Sequence, residues 1–270
     1  MAPLALLLLL AVLQGLTEYL PVSSSGHLVL GRELIPGGEA LPEDASVEVL
    51  LHLGTLLAVI LFYRRQVLAL AAGLVGRGQD PGAQRRLLGL LVIATLPAVA
   101  VGLLGKDAIE SAFTTPAVAS ACLLVTGAGL WWSRRLVTGR RDLWQITARM
   151  ALVIGLAQAF AILPGISRSG ATILTGMAFG LGVEAAAAFS FLMSIPAILG
   201  AAVLKLPDML EQGAGELGAG PLLAAAALSF FVGYLALAML LWIMRARRLS
   251  WFAPYCWLLG LTGLAFTLST

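Results

Sequence analysis

Charge is what this 270-residue sequence has least of. Only 11% of its residues are Asp, Glu, Lys or Arg, against roughly 25% in a soluble globular domain. With 60% apolar residues and a mean hydropathy of +0.96, that shortage excludes a soluble fold, and the chain reads as an integral membrane protein. Cysteine is nearly absent. Cys122 and Cys256 each lie inside an apolar run without metal-type spacing, which excludes a disulfide scaffold or a thiolate metal site and leaves two small core residues. Histidine is equally scarce, at His27 and His52. No polar stretch is long enough to fold separately, so one domain over 1–270 is expected. The net charge of +3 and pI near 9.2 do not imply nucleic acid, because the arginines cluster between apolar runs as orientation signals do. The leading apolar run 4–13 has no basic residue before it and no small-residue cleavage site after it, so it is expected to stay in the mature chain rather than act as a signal peptide.

A helix needs about 20 residues to cross the hydrocarbon core. Runs at 49–63, 87–104, 117–132, 184–205, 221–244 and 251–268 come close to or exceed that length, counting a few flanking residues. Runs 2–13 and 150–163 do not, because polar motifs interrupt them; each reads, with the short arm after its motif, as a re-entrant helical hairpin. Loops 64–86, 133–149 and 245–248 are rich in arginine, whereas 32–48, 105–115 and 206–220 are acidic. The positive-inside rule puts the first set in the cytoplasm, and Trp131, Trp132 and Trp144 fit an interfacial aromatic belt. Six crossings satisfy all six loops only if both hairpins enter and leave on one side. The expected fold is therefore all-α, with six transmembrane helices, two re-entrant hairpins and halves 1–132 and 150–270 of opposite orientation. An offset of 144 aligns Gln14 with Gln158, Ser23 with Ser167, Ser25 with Ser169 and Gly26 with Gly170. Inverted repeats with broken helices meeting near the midplane are a recurring way to build a polar site inside a bilayer.

Those two motifs carry the chemistry. The first, Q-G-L-T-E-Y-L-P-V-S-S-S-G-H, runs over 14–27, and the second, L-P-G-I-S-R-S-G-A-T, over 163–172. An ionisable group at membrane depth costs on the order of 2.5–3.5 kcal/mol, so Glu18, His27 and Arg168 need a reason to be there. In each motif proline ends one arm, serine caps the next and glycine permits close approach. Two helix N-termini meeting this way favour an anion, with Ser23, Ser25, Gly26, Ser167, Ser169, Gly170 and Thr172 as candidate contacts together with Gln14. The offset sets Ser24 opposite Arg168, whose planar fork suits phosphate oxygens. Ser24 is a candidate nucleophile, with His27 one turn on as general base or acid. Glu18 is free to orient His27, hold a divalent cation or relay a proton. His52 is expected to pack, and Glu48 and Glu184 to favour the N-termini of the spans they open.

At these residues the sequence resembles the bacterial undecaprenyl-diphosphate phosphatase, or bacitracin-resistance, family. Pro21 to His27 matches its P-V-S-S-S/T-G-H segment and Pro164 to Thr172 its P-G-x-S-R-S-G-x-T segment. Likeness extends through V-E-V-L-L-H-L-G-T-L-L-A-V at 47–59 and F-S-F-L-M-S-I-P-A at 189–197, so it spans nearly the whole chain. The resemblance implies hydrolysis of a polyprenyl diphosphate to the monophosphate and inorganic phosphate, recycling the lipid carrier for cell-wall synthesis at the bacterial inner membrane. It implies Mg2+ or Ca2+ as cofactor, and Glu18, Ser24, His27 and Arg168 as catalytic residues, with Glu18 a candidate metal ligand. A homo-oligomer is compatible with it, and bacitracin is expected to act on the lipid substrate rather than on the protein. Two departures stand out: Gln14 occupies a position that can be Glu in the family, and Ala187 one where many members carry Glu.

Two other readings are available. Type-2 phosphatidic acid phosphatases share a Ser-Gly-His motif but need a further histidine in a late motif, where this chain has none. A lipid-phosphate transporter or flippase would use the same repeats and broken helices, and transport without phosphate release would distinguish it.

Overall fold

The computed structural model describes residues 3–34, 45–136, 139–212 and 218–269. Among these there are twelve α-helices and no strand beyond a single bridge between Arg141 and Leu181. In chain order they are α1 (Pro3–Tyr19), α2 (Ser24–Leu34), α3 (Ala45–Phe62), α4 (Arg64–Leu74), α5 (Pro81–Leu104), α6 (Lys106–Phe113), α7 (Pro116–Trp132), α8 (Ala148–Phe160), α9 (Arg168–Ala178), α10 (Val183–Gln212), α11 (Ala219–Arg245) and α12 (Phe252–Ser269). Capping explains several starts. Asp80 accepts the Ala83 amide at 3.0 Å ahead of Pro81, Thr147 accepts Met150 N–H, and Ser167 accepts Gly170 N–H, each satisfying a donor the first turn would orphan.

Five helices, α5, α7, α10, α11 and α12, are long and apolar enough to cross a membrane, and the chain is a multi-pass integral membrane protein. Their outward side chains are apolar, among them Val92, Leu96, Phe231, Leu235 and Leu258, as lipid contact requires. A sixth crossing needs α3, whose 18 residues rise about 27 Å. Here the structure departs from expectation. The stretch after residue 63, read as an arginine-rich loop, folds into α4, turned 82° from α3. Arg64 Nη1 donates to the Leu61 carbonyl at 3.3 Å, closing the end of α3 where basic groups complement the helix dipole. The acidic corner after α5 likewise forms the short helix α6. The acidic loop 32–48 falls largely outside the described residues, whereas the first part of 206–220 is helical, because α10 runs on to Gln212 before the undescribed 213–217; the side chains of Glu48, Asp208, Glu211 and Glu216 are also outside the description. Glu184 does not simply cap α10: its Oε1 accepts from Arg245 Nε at 2.8 Å.

The two short apolar arms, α1 and α8, break at the motifs, and α2 and α9 follow the breaks. Neighbour relations pair α1 with α11 and α8 with α5, α3 with α10 and α7 with α12. Small residues set these distances: a Cβ on Gly54 of α3 would run into Ala226 O of α11, and one on Gly155 of α8 into Ala94 of α5. Such close approach, rather than hydrophobic driving force, is what holds helices together in lipid.

Candidate active site

Both loops cap the following helix with a serine. Ser23, at φ +67°, caps α2 by accepting the Gly26 amide at 3.2 Å, and Ser167 caps α9 by accepting the Gly170 amide at 3.1 Å. Each cap hydroxyl lies 3.2 Å from a second serine, Ser25 in the first loop and Ser169 in the second. The loops then bond to each other. Gly165 N–H donates to Ser23 Oγ at 3.1 Å, and Ser169 Oγ donates to Leu20 O at 3.3 Å. Thr126 of α7 supports the second loop, donating to Gly165 O and accepting from Ser167 N–H. Thr172 bonds to Arg168 O and Ser190. Ser23, Ser25, Gly26, Ser167, Ser169, Gly170 and Thr172, expected to contact substrate, thus engage one another and hold the loops together.

That scaffold brings four of the expected residues to one point. Glu18 is the penultimate residue of α1, and its side chain is only 7% exposed. Oε1 accepts from Arg168 Nη2 at 2.5 Å. Oε2 accepts from Gln14 Nε2 at 2.9 Å, one turn back on α1, and faces Ser24 Oγ at 3.4 Å. Arg168 opens α9, and its Nη1 is buried without a partner among the described residues. A cation at a helix N-terminus and an anion at a helix C-terminus both oppose their own helix dipoles. The pair is tolerable only because each charge meets the other, and the remaining guanidinium nitrogen is an open donor for an anion.

His27 does not join this group, contrary to the Ser24–His27 pairing read from spacing. Its Nδ1 lies 2.7 Å from Ser23 O and must carry the proton there; its Nε2 then accepts from the Tyr255 hydroxyl of α12 at 2.6 Å, with the rings stacked 5.6 Å apart. The ring turns back because Ser23 has a left-handed backbone that its carbonyl bond helps to hold. The histidine beside Glu18 is instead His52, expected only to pack, whose Nε2 is 3.6 Å from Oε2. Its place in the H-L-G-T run as one of two histidines was the available signal. Tyr255 had none.

The divalent cation expected from the resemblance does not fit these donors. Among the described residues Glu18 is the one carboxylate here, both its oxygens face donors, and Gln14 adds no charge; among the same residues no group of three or more His, Cys, Asp or Glu is placed to hold a metal. Such ions favour several carboxylate or carbonyl oxygens.

The bacitracin resistance protein BacA family model matches residues 7–262. Similar curated proteins are named undecaprenyl-diphosphatase. That of Acidiphilium cryptum is 44% identical, covering 98% of this chain and 98% of its own length. That of Syntrophotalea carbinolica is 42% identical over 97% and 98%, and that of Desulforapulum autotrophicum 41% over 94% and 95%.

Proposed function

The chain belongs to the bacitracin resistance protein BacA family, and from that premise we propose that it hydrolyses undecaprenyl diphosphate to the monophosphate and inorganic phosphate. It is an enzyme of the bacterial cell membrane on this reading, recycling a lipid carrier for cell-wall synthesis. The observation that carries it is the buried meeting of Arg168, Glu18 and Ser24 between two broken helices. A transporter needs a polar site too, but not a hydroxyl set against a carboxylate beside an open guanidinium nitrogen.

The distal phosphoryl group of the substrate binds Arg168 Nη1 and draws the guanidinium away from Glu18. Glu18 Oε2, already facing Ser24 Oγ, then takes the hydroxyl proton as the oxygen attacks. The Oγ–P bond forms and the bond from phosphorus to the bridging oxygen breaks, its electron pair leaving with the polyprenyl monophosphate. Water then attacks the phosphoserine as the P–Oγ bond breaks; Glu18 gives its proton back to Oγ, and inorganic phosphate leaves carrying the water oxygen and its protons. Arg168 stabilises the equatorial oxygens in both steps. Gln14 orients Glu18, and His27 with Tyr255 holds the Ser23 turn from which Ser24 projects.

The halves 1–132 and 150–270 are read as an inverted repeat within one domain, a reading supported by the paired helix contacts and by two loops that each cap the following helix with a serine. The test is phosphate release from undecaprenyl diphosphate by purified protein in detergent. Ser24→Ala and Arg168→Lys should lose it by about 100-fold or more while eluting as the wild type does. Vesicle transport with no phosphate released would favour the flippase instead.

A further inference from the structure

A cavity of about 220 Å3 opens beside Glu18, between α1, α3 and α10. Val49, Ile198 and Ala201 are among its apolar walls, and among the described residues three ionisable groups line it: Glu18, His52 and Lys205. Residues 197, 198, 201, 202 and 205 share one face of α10 by helical spacing. The alanines among them leave the groove open, and from Ile198 to Lys205 the helix rises about 10 Å. Nothing in the phosphoryl step described above uses His52 or Lys205.

We propose that this cavity seats the proximal phosphate and the first carbons of a prenyl diphosphate, with Lys205 and His52 donating to the phosphate that leaves. The proposal rests on the hydrolysis reading and specifies where the other half of the substrate lies. The two phosphates share a bridging oxygen, so their cradles must be adjacent; Ser24 Oγ at 3.4 Å and His52 Nε2 at 3.6 Å both face Glu18 Oε2. Charge requires a second cation. Arg168 serves the distal group, the leaving monophosphate gains negative charge as the bridging bond breaks, and Lys205 lines the cavity on that side. The walls match the chain that follows. A volume of 220 Å3 is below the roughly 300–1,000 Å3 of a whole-ligand pocket, so it takes a phosphate and a few carbons while the rest of the tail runs out between helices into lipid.

Inhibition by the two products separates this subsite from the distal one. With farnesyl diphosphate as substrate, farnesyl monophosphate and inorganic phosphate are each titrated against wild type, His52→Ala, Lys205→Met, Lys205→Arg and the cavity-filling Ala201→Leu. The expected result is a Ki for farnesyl monophosphate raised about tenfold in Lys205→Met, as for loss of one charge-assisted hydrogen bond, and raised also in His52→Ala and Ala201→Leu. Lys205→Arg should stay near wild type, and the Ki for inorganic phosphate should change less than twofold throughout, which also reports an intact distal site. An unchanged monophosphate Ki in Lys205→Met and Ala201→Leu, or parallel rises for both inhibitors, overturns the assignment. Failure of the hydrolysis reading looks different: wild type itself then releases no phosphate from farnesyl diphosphate.

Discussion

Arg168 Nη2 lies 2.5 Å from Glu18 Oε1, joining residues 150 positions apart in the chain. Their side chains are 18% and 7% exposed, so neither charge has much water to fall back on. Removing one partner of a buried pair leaves the other uncompensated, a loss of about 3–5 kcal/mol, whereas replacing both with apolar groups can be nearly neutral. Arg168→Met and Glu18→Leu should each lower thermal stability in detergent more than the double substitution does. Additive losses in the cycle would mean that the two charges do not depend on each other. All three variants should be inactive.

The His27 ring contacts the Ser23 turn and Tyr255, not Ser24. Its Nδ1–H bond to Ser23 O can be imitated by an asparagine amide, which has a donor near the same place but no basic nitrogen. His27→Asn should therefore keep activity within about tenfold of wild type, while His27→Ala falls further. A general base contributes about 100- to 10,000-fold, so an Asn variant as inactive as the Ala variant would restore His27 to the chemistry. Tyr255→Phe should have a small effect in wild type and none in His27→Ala.

The motifs were legible because each burdened an apolar run with residues that lipid excludes, and the all-α crossings because apolar length maps directly onto bilayer thickness. The partner of Ser24 was not. Spacing places His27 one turn from Ser24, but the left-handed backbone at Ser23, a conformation rarely adopted by serine, turns the imidazole toward the cap. His52 was hidden for a different reason. It is brought to Glu18 by the packing of α3 near α1, a contact that no period within α3 encodes. The helix α4 was missed because two adjacent arginines signal a loop as readily as they signal the corner between helices.

The two loops approach closely enough that glycine is required on both sides. A Cβ at Gly26 would lie 2.9 Å from Gly165 Cα, and Gly165 itself has φ +93° with Ala119 O in the way of any side chain. Gly165→Ala should lose about 1–3 kcal/mol from backbone strain alone and separate Ser24 from Arg168, lowering activity and melting temperature together. Gly89 on α5 has open space around it, and Gly89→Ala should leave activity unchanged while stabilising the helix by up to about 1 kcal/mol. Equal effects at the two positions would show that loop contact does not govern the site.

Removing metal distinguishes a structural or resident cation from one carried in by substrate. Among the described residues the site offers one carboxylate, engaged by Arg168 and Gln14, a poor preformed site for a hard divalent ion, which favours six or more oxygens as Ca2+ or near-ideal octahedral geometry as Mg2+. A cation bound to the folded state alone would stabilise it by mass action, by about 2.7 kcal/mol at a hundredfold excess over Kd. Dialysis against a chelator should therefore leave the melting temperature unchanged, and the dialysed protein should contain far less than one divalent ion per chain. Any cation requirement should then follow the substrate concentration, with the metal needed in proportion to diphosphate rather than to protein. A chelator-dependent drop in melting temperature, reversed by Mg2+ or Ca2+ without substrate, would establish a protein-bound ion and return Glu18 to the role of its ligand.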